Sequence, residues 1–332
     1  MREQLRNLRW EPAVYEHKAA LIERTPAEVA SSATLLSEAV LKEHDVYRAD
    51  FLTVGLDVYN IEAEACGAGI QLPEEGGCPE IAEPLWDLAM LPDRLELPLI
   101  PEEGRFSLVL EAGREVTRRL GDRVCVRVAT SGPFSIASKL VGTEPLILGL
   151  AMDDPAAPRL LDFTTRLAKA WHGMLRQEQL EVIVFDSAAA PPMLSPALYR
   201  SVVMPRHRSL LSHLAATGQK DIALVIGGDT TVLAPDLERT GATTLLCDFV
   251  CDADDFSRAL ERPAQTTIRR NINPALLETA VDAHARKTLA RSFVQDLLRF
   301  PNPVAGTGIL PYGFSPGCFH AFREAVEEEI RG

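Results

Sequence analysis

Short, almost unbroken apolar runs recur along this chain, and each is followed by a longer stretch with apolar residues at helical spacing. The runs are "DFLTVGLD" (50–57), "VCVRVATSG" (124–132), "LEVIVFDS" (180–187), "DIALVIGGD" (221–229), "ATTLLCD" (242–248), "QTTIRRN" (265–271) and "PVAGTGI" (303–309). Continuous runs of this kind suit strands buried on both faces, as in parallel sheets covered by helices. Each ends in small or polar residues: Asp57, Ser131, Asp186, Gly228, Asp248, Asn271 and Thr307. Amphipathic helical segments occupy 158–178, 195–214, 254–262 and 275–299. A last helix begins near "SPGCFHAFREAVEEEI", with Ser315 as cap and Pro316 at its first position. Seven strands in βα alternation predict one (β/α)8 TIM barrel over 1–332, with 1–47 as a helical N-terminal extension. The remaining barrel strand is expected near the Pro- and Glu-rich segment 73–104, read as an irregular insertion over the barrel mouth. A doubly wound open sheet is the alternative. It calls for a glycine-rich phosphate turn after the first strand, and "GLDVYNIEAEACG" contains no GxGxxG.

With 46% hydrophobic residues among 332, the chain can bury a large core. The formal net charge of −13 argues against nucleic acid and anionic membrane surfaces as partners. No stretch approaches the roughly 20 apolar residues of a membrane span. The charged start "MREQLRNLRWEPAVYEHK" has no apolar core of a secretory signal. Six cysteines without regular spacing suggest reduced thiols and a cytoplasmic protein.

In a barrel the C-terminal strand ends converge on the active site. The sequence places Asp57, Asp186, Asp229 and Asp248 there, with Glu62 and Glu64 after the first run and amides at Asn60, Asn271 and Asn273. Carboxylates crowded in a cleft repel, so raised pKa values are expected among them. Such a set suits a general acid, a metal or a cationic ligand. The competing role for any one of these Asp residues is to cap the following helix. Cys247, beside Asp248, is a candidate zinc thiolate, or else an inert core cysteine. In "TSGPFSIASKLVG" (130–142), backbone N–H groups at a helix start suit an anion, and Lys139 faces inward or lies on the surface. His172 is expected to pack in mid-helix, and His207 and His213 to lie on a basic helix face, solvated rather than binding a substrate carboxylate, which is the alternative.

Several ordered segments resemble the uroporphyrinogen decarboxylase superfamily, which includes corrinoid and coenzyme M methyltransferases. "GPFSIASKLVG" is similar to its "GPF-T-L-A-S-Y-L-V-G" segment, "VFDSAAAPPMLSPALYRSVVMP" to "FDSWAG-LSP-F-VLP", "RRNINPALL" to "GNLDP-L", and "GTGILP" to "GHGI-P". Asp57 in "GLDVYN" matches the aspartate of "FSDIL". The resemblance runs from about residue 48 to the end and implies a single (β/α)8 barrel.

Departures from the pattern bear on activity. "IERTPAEVASS" stands where the decarboxylases have an Arg-Gln-Ala-Gly motif that grips carboxylates. Lys139 replaces their tyrosine and Thr307 their histidine, leaving Asp57 and Ser187. The coenzyme M branch binds zinc through His-x-Cys and a later Cys; those places hold Val225, Gly227 and Thr307. The resemblance then implies a third activity: demethylation of a small methylated substrate, such as a methoxylated compound, with transfer to the corrinoid (cobalamin) of a small partner protein. The expected catalytic residues are Asp57, Glu62, Asp186, Ser187 and Asp248. Tyr59, Asn60, Phe134, Lys139, Asp229, Asn271 and Thr307 are expected to bind substrate, with Cys247 as ligand of a zinc at a non-standard site. A cofactor-free decarboxylase and a non-catalytic tetrapyrrole-binding barrel are the alternatives.

Overall fold

The structure, a computed structural model, describes residues 2–73, 77–100, 102 and 104–332, with backbone alone at residues 2 and 3. Eight parallel strands form one sheet: β1 (Arg9–Ala13), β2 (Phe51–Val54), β3 (Cys125–Ser131), β4 (Glu181–Phe185), β5 (Ala223–Val225), β6 (Thr244–Cys247), β7 (Thr267–Ile272) and β8 (Pro303–Ile309). Their order is β1-β8-β7-β6-β5-β4-β3-β2. At the seam between the two end strands, the Asp50 N–H donates to the Trp10 carbonyl (2.9 Å) and the Trp10 N–H donates to the Asp50 carboxylate (2.6 Å). The Asp50 side chain thus stands in for a ladder carbonyl and draws the sheet into a (β/α)8 barrel.

The strand expected near 73–104 is instead "RWEPA", inside the segment read as a helical extension. Residues 1–47 do hold helices, among them Pro26–Ala30 and Ala33–Tyr47. The insertion contributes a two-residue antiparallel pair, Ile70–Gln71 with Glu80–Ile81, outside the barrel; its residues 74–76, 101 and 103 lie outside the described residues. Two expected helices are interrupted. The 195–214 segment passes through a π-helical turn, Tyr199–Val203, before Met204–Ala216; Pro205 there has no N–H to continue the ladder. The 275–299 segment breaks before Asp282, whose carboxylate caps Ala283–Leu297 by accepting from the Ala285 N–H (2.8 Å).

Period two divides each strand between two environments. Outward residues such as Leu52, Val54, Val126, Val128, Val182, Val184, Leu224 and Ile268 pack with the surrounding helices in the main core. Inward residues Ala13, Ala129, Ile183, Phe185 and Ala223 form a separate cluster with Tyr15, Val58, Tyr59 and Val225. Alanine at three of these inward positions, where barrels commonly place bulky residues, keeps the upper interior open.

The lower interior holds charge. Glu11 on β1 pairs with Arg127 on β3 (2.5 Å) and Arg269 on β7 (2.8 Å), and all three are buried. Arg127 also lies over the Phe51 ring, 4.4 Å from its centroid. Burial pushes the Glu11 pKa up, but the attraction of Arg127 and Arg269 outweighs it and holds the carboxyl below its ordinary value.

Glu11→Gln would leave two buried guanidiniums without their shared counter-charge, so it should cost about 3–5 kcal/mol of stability at neutral pH. A carboxylate with a lowered folded pKa contributes stability above its unfolded pKa, about 4.3, and loses it as pH falls through the folded pKa. Urea unfolding of both proteins from pH 7 down to pH 3 should show the gap between them closing at the acid end.

Candidate active site at the barrel mouth

The C-terminal strand ends open on a cavity of about 430 Å³. Ala13, Val58, Phe185, Val225, Leu246, Pro274, Ile309 and Pro311 make much of its wall. Polar groups enter from Tyr15, Tyr59, Ser187, Asp248, Arg269, Asn271, Asn273 and Thr307, with Glu278 at the rim. A second groove, of about 790 Å³, lies near the chain termini, lined by Leu5, Leu8, Trp10 and Ile330 among others. It gathers no strand C-terminus, so the mouth is the better candidate for chemistry.

The polar wall is one connected set. Asp248 accepts from the Gly228 N–H (3.1 Å), the Phe249 N–H (2.9 Å) and Asn271 Nδ2 (3.0 Å). Asn271 Oδ1 in turn accepts from Arg269 Nε (3.1 Å), which leads down to Glu11. Three N–H donors make Asp248 an acceptor at the cavity. Ser187 Oγ accepts from the Gly227 N–H (3.0 Å) and from the Tyr59 hydroxyl (2.9 Å), leaving its own O–H to donate. Burial pushes the Tyr15 phenol up to about 12, so it stays neutral across physiological pH. Thr307 Oγ1 accepts from the Ala13 N–H (3.0 Å), where the β1–β8 register slips between Glu11 and Ala13.

Of the residues anticipated here, Ser187, Asp248, Tyr59, Asn271, Asn273 and Thr307 line the cavity. The others lie outside its lining. Asp57 pairs with Arg105 (2.7 Å) and accepts from Asn60 Nδ2 (2.7 Å), while the same Asn60 nitrogen donates to the Pro79 carbonyl (2.8 Å). Glu62 accepts from the Ser131 N–H and hydroxyl, each at 2.7 Å. Asp186 accepts from the N–H groups of Phe134 (3.2 Å) and Ser135 (2.6 Å), capping Pro133–Val141 from another strand, and meets His207 Nε2 at 2.7 Å. Gly132 is required beside it, since a Cβ there would sit 2.4 Å from that carboxyl group. Phe134 is core, and Lys139 is half-buried on the same helix. Asp229 is exposed and closes a turn by accepting from the Thr231 N–H (3.1 Å).

The pKa values of Asp57 and Glu62 are raised, by burial first rather than by mutual repulsion; Asp57 stays raised despite Arg105. His207, expected on a solvated face, is buried between Asp186 and the Tyr199 hydroxyl (3.0 Å). His172 is buried as expected, its Nε2 at 2.9 Å from the Thr130 hydroxyl, and desolvation lowers its pKa to about 3. Cys247 is buried against Cys251 and Arg270, and the contact with Cys251 heads the causes that raise its thiol pKa. Among the described residues no three His, Cys, Asp or Glu side chains gather as metal ligands. Val225, Gly227 and Thr307 line one cavity and offer neither thiolate nor imidazole, so the residues present do not fit a zinc there.

Arg269 and Tyr15 were not anticipated. Arg269 carried a signal: it stands two residues before Asn271 on one strand and so shares its face. Tyr15 follows β1, whose sequence does not read as a strand.

The uroporphyrinogen decarboxylase (URO-D) family model matches residues 13–318. The chain belongs to that family. It is 28% identical to a methylated-thiol–coenzyme M methyltransferase of Methanosarcina mazei over 48% of this chain and 41% of that protein. It is 22% identical to the methylcobamide:CoM methyltransferase MtbA of Methanosarcina acetivorans over 80% of this chain and 78% of that protein. Identity to a uroporphyrinogen decarboxylase of Nocardia farcinica is 29% over 79% and 74%. A solved methyltransferase from Methanosarcina mazei superposes with a TM-score of 0.83 at 17% identity, covering 100% of this chain and 98% of that one, and so shares its fold. No single helix among the described residues is long and apolar enough to cross a membrane.

Asp186 holds two buried N–H groups and a buried imidazole in place. Asp186→Ala should therefore lower stability by about 3–5 kcal/mol, read as a drop in the urea midpoint. An unchanged midpoint would show that the carboxylate does not hold the fold.

Proposed function

We propose that this protein moves a methyl group from a small methylated substrate, held in the mouth cavity, to the corrinoid of a partner protein, without zinc. The observation that carries this reading is the lining itself. Among the described residues, a largely apolar space of about 430 Å³ holds one guanidinium, already paired with Glu11, and two carboxylates, Asp248 and Glu278. That charge repels a polycarboxylate such as a porphyrinogen and suits a small neutral or cationic molecule. Relatives that act on methylcobamide and on methylated thiols support methyl transfer.

When docked, the corrinoid supplies the nucleophile that takes the methyl group. The chain's own residues bind and orient. Ser187 offers a hydroxyl donor whose direction is fixed by Gly227 and Tyr59. Asp248 and Asn271 present an acceptor wall that Arg269 holds from below. Ala13, Val225 and Leu246 line the cavity and exclude water, which strengthens these polar contacts. Phe249 and Ile309 line the cavity while 36% and 59% exposed, marking the side open to a partner. Six free cysteines suit a reducing compartment such as the cytoplasm.

Methyl transfer to a reduced corrinoid protein should proceed at an unchanged rate after exhaustive chelation; loss of activity, restored by zinc, would overturn the zinc-free reading. Gly227→Ala would add a methyl group 3.4 Å from Ser187 Oγ and 3.8 Å from Asp248 Oδ2. It should raise KM roughly tenfold or more, as one methylene does in a fitted pocket, while the unfolding midpoint stays put.

A further inference from the structure

Three aromatic rings stand together on the cavity wall. Tyr15 meets Phe185 at 5.7 Å between centroids and 86° between planes, and Tyr59 meets the same Phe185 at 6.5 Å and 84°. Tyr15 and Tyr59 are thus each nearly perpendicular to a common ring, and all three line the cavity. Three aromatic side chains gathered on one wall are the kind of surface that recognises cationic methyl groups, through the electron-rich ring faces. The charged lining points the same way: among the described residues Asp248 and Glu278 line the cavity, while its one guanidinium, Arg269, is ion-paired with Glu11 beneath. The acids that would protonate a departing alkoxide lie elsewhere. Asp57, Glu62 and Asp186 are outside the lining and engaged with Arg105, Ser131 and the Pro133–Val141 helix start. Of the two carboxylates in the described lining, Asp248 accepts three N–H bonds and Glu278 is exposed.

We infer that the methyl donor is an onium cation, a quaternary ammonium or a sulfonium, seated against Tyr15, Tyr59 and Phe185. The inference deepens the proposed methyl transfer and rests on it for the reaction, though its binding test does not. The chemistry balances without an acid. The bond from methyl carbon to nitrogen or sulfur breaks, its electron pair stays on the heteroatom, and a neutral amine or thioether leaves. The methyl group passes to the two-electron nucleophile supplied by the partner. A methyl ether would instead expel an alkoxide, which needs a proton that an onium donor does not.

Calorimetric titration of the purified protein with choline and with its neutral isostere 3,3-dimethylbutan-1-ol tests the cage directly, and (2-hydroxyethyl)dimethylsulfonium distinguishes sulfur from nitrogen. Choline or the sulfonium should bind at least about tenfold more tightly than the alcohol. Tyr59→Leu should remove most of that preference, and Tyr59→Phe should keep it. Equal or tighter binding of the alcohol, or a preference untouched by Tyr59→Leu, would overturn the inference. Onium binding without methyl transfer to a reduced corrinoid protein would overturn the proposed function and leave the cage standing. Transfer from methyl ethers with no onium preference would do the reverse.

Discussion

Glu11 is the pivot of the barrel. One buried carboxylate on β1 faces guanidiniums from β3 and β7, so three strands far apart in the sheet meet through a single charge. Neither arginine would tolerate the apolar interior alone, because an unpaired buried charge costs several kcal/mol. With the pair in place, Arg269 is fixed, Arg269 orients Asn271, and Asn271 orients Asp248 at the mouth. The wall of the cavity is therefore built upward from the charge at its floor. Gly306 on β8 makes room for this column: a Cβ there would lie 2.4 Å from Asn271 Oδ1 and 2.6 Å from Arg269 Nε.

Around that column, acids at strand ends act mainly as joints. Asp50 closes the seam, Asp186 caps a helix from a neighbouring strand, Glu62 holds the end of β3, and Asp57 anchors Arg105. Asp50 does so at the N-terminal end of the barrel, whereas Asp186, Glu62 and Asp57 fix segments that border the mouth, where the lining stays mainly apolar. A lining of this kind favours methyl chemistry over the handling of many carboxylates.

The alternation that predicted a barrel came from strands buried on both faces, and seven of them read clearly for that reason. The eighth did not, because "RWEPA" carries Glu11 for the interior ion pairs and Pro12 at a register slip, both of which break the apolar signature. At the site, Ser187, Asp248, Asn271 and Thr307 were legible as polar ends of apolar runs. The duties of Asp57, Glu62 and Asp186 were not. Their partners Arg105, Ser131 and Ser135 lie 48, 69 and 51 residues away, and no local pattern announces a bond across that distance. His207 was misread likewise: its helix looks basic, yet the face bearing it turns inward to Asp186.

Thr307 has a structural duty apart from the cavity it lines. Its hydroxyl satisfies the Ala13 N–H at the point where Pro12 puts the first and last strands out of step. A histidine or cysteine placed at that position would leave this buried donor without its partner, a penalty of about 1–3 kcal/mol before any metal arrived to offset it. A metal ligand at position 307 would therefore come at a cost in folding, whatever chemistry it brought.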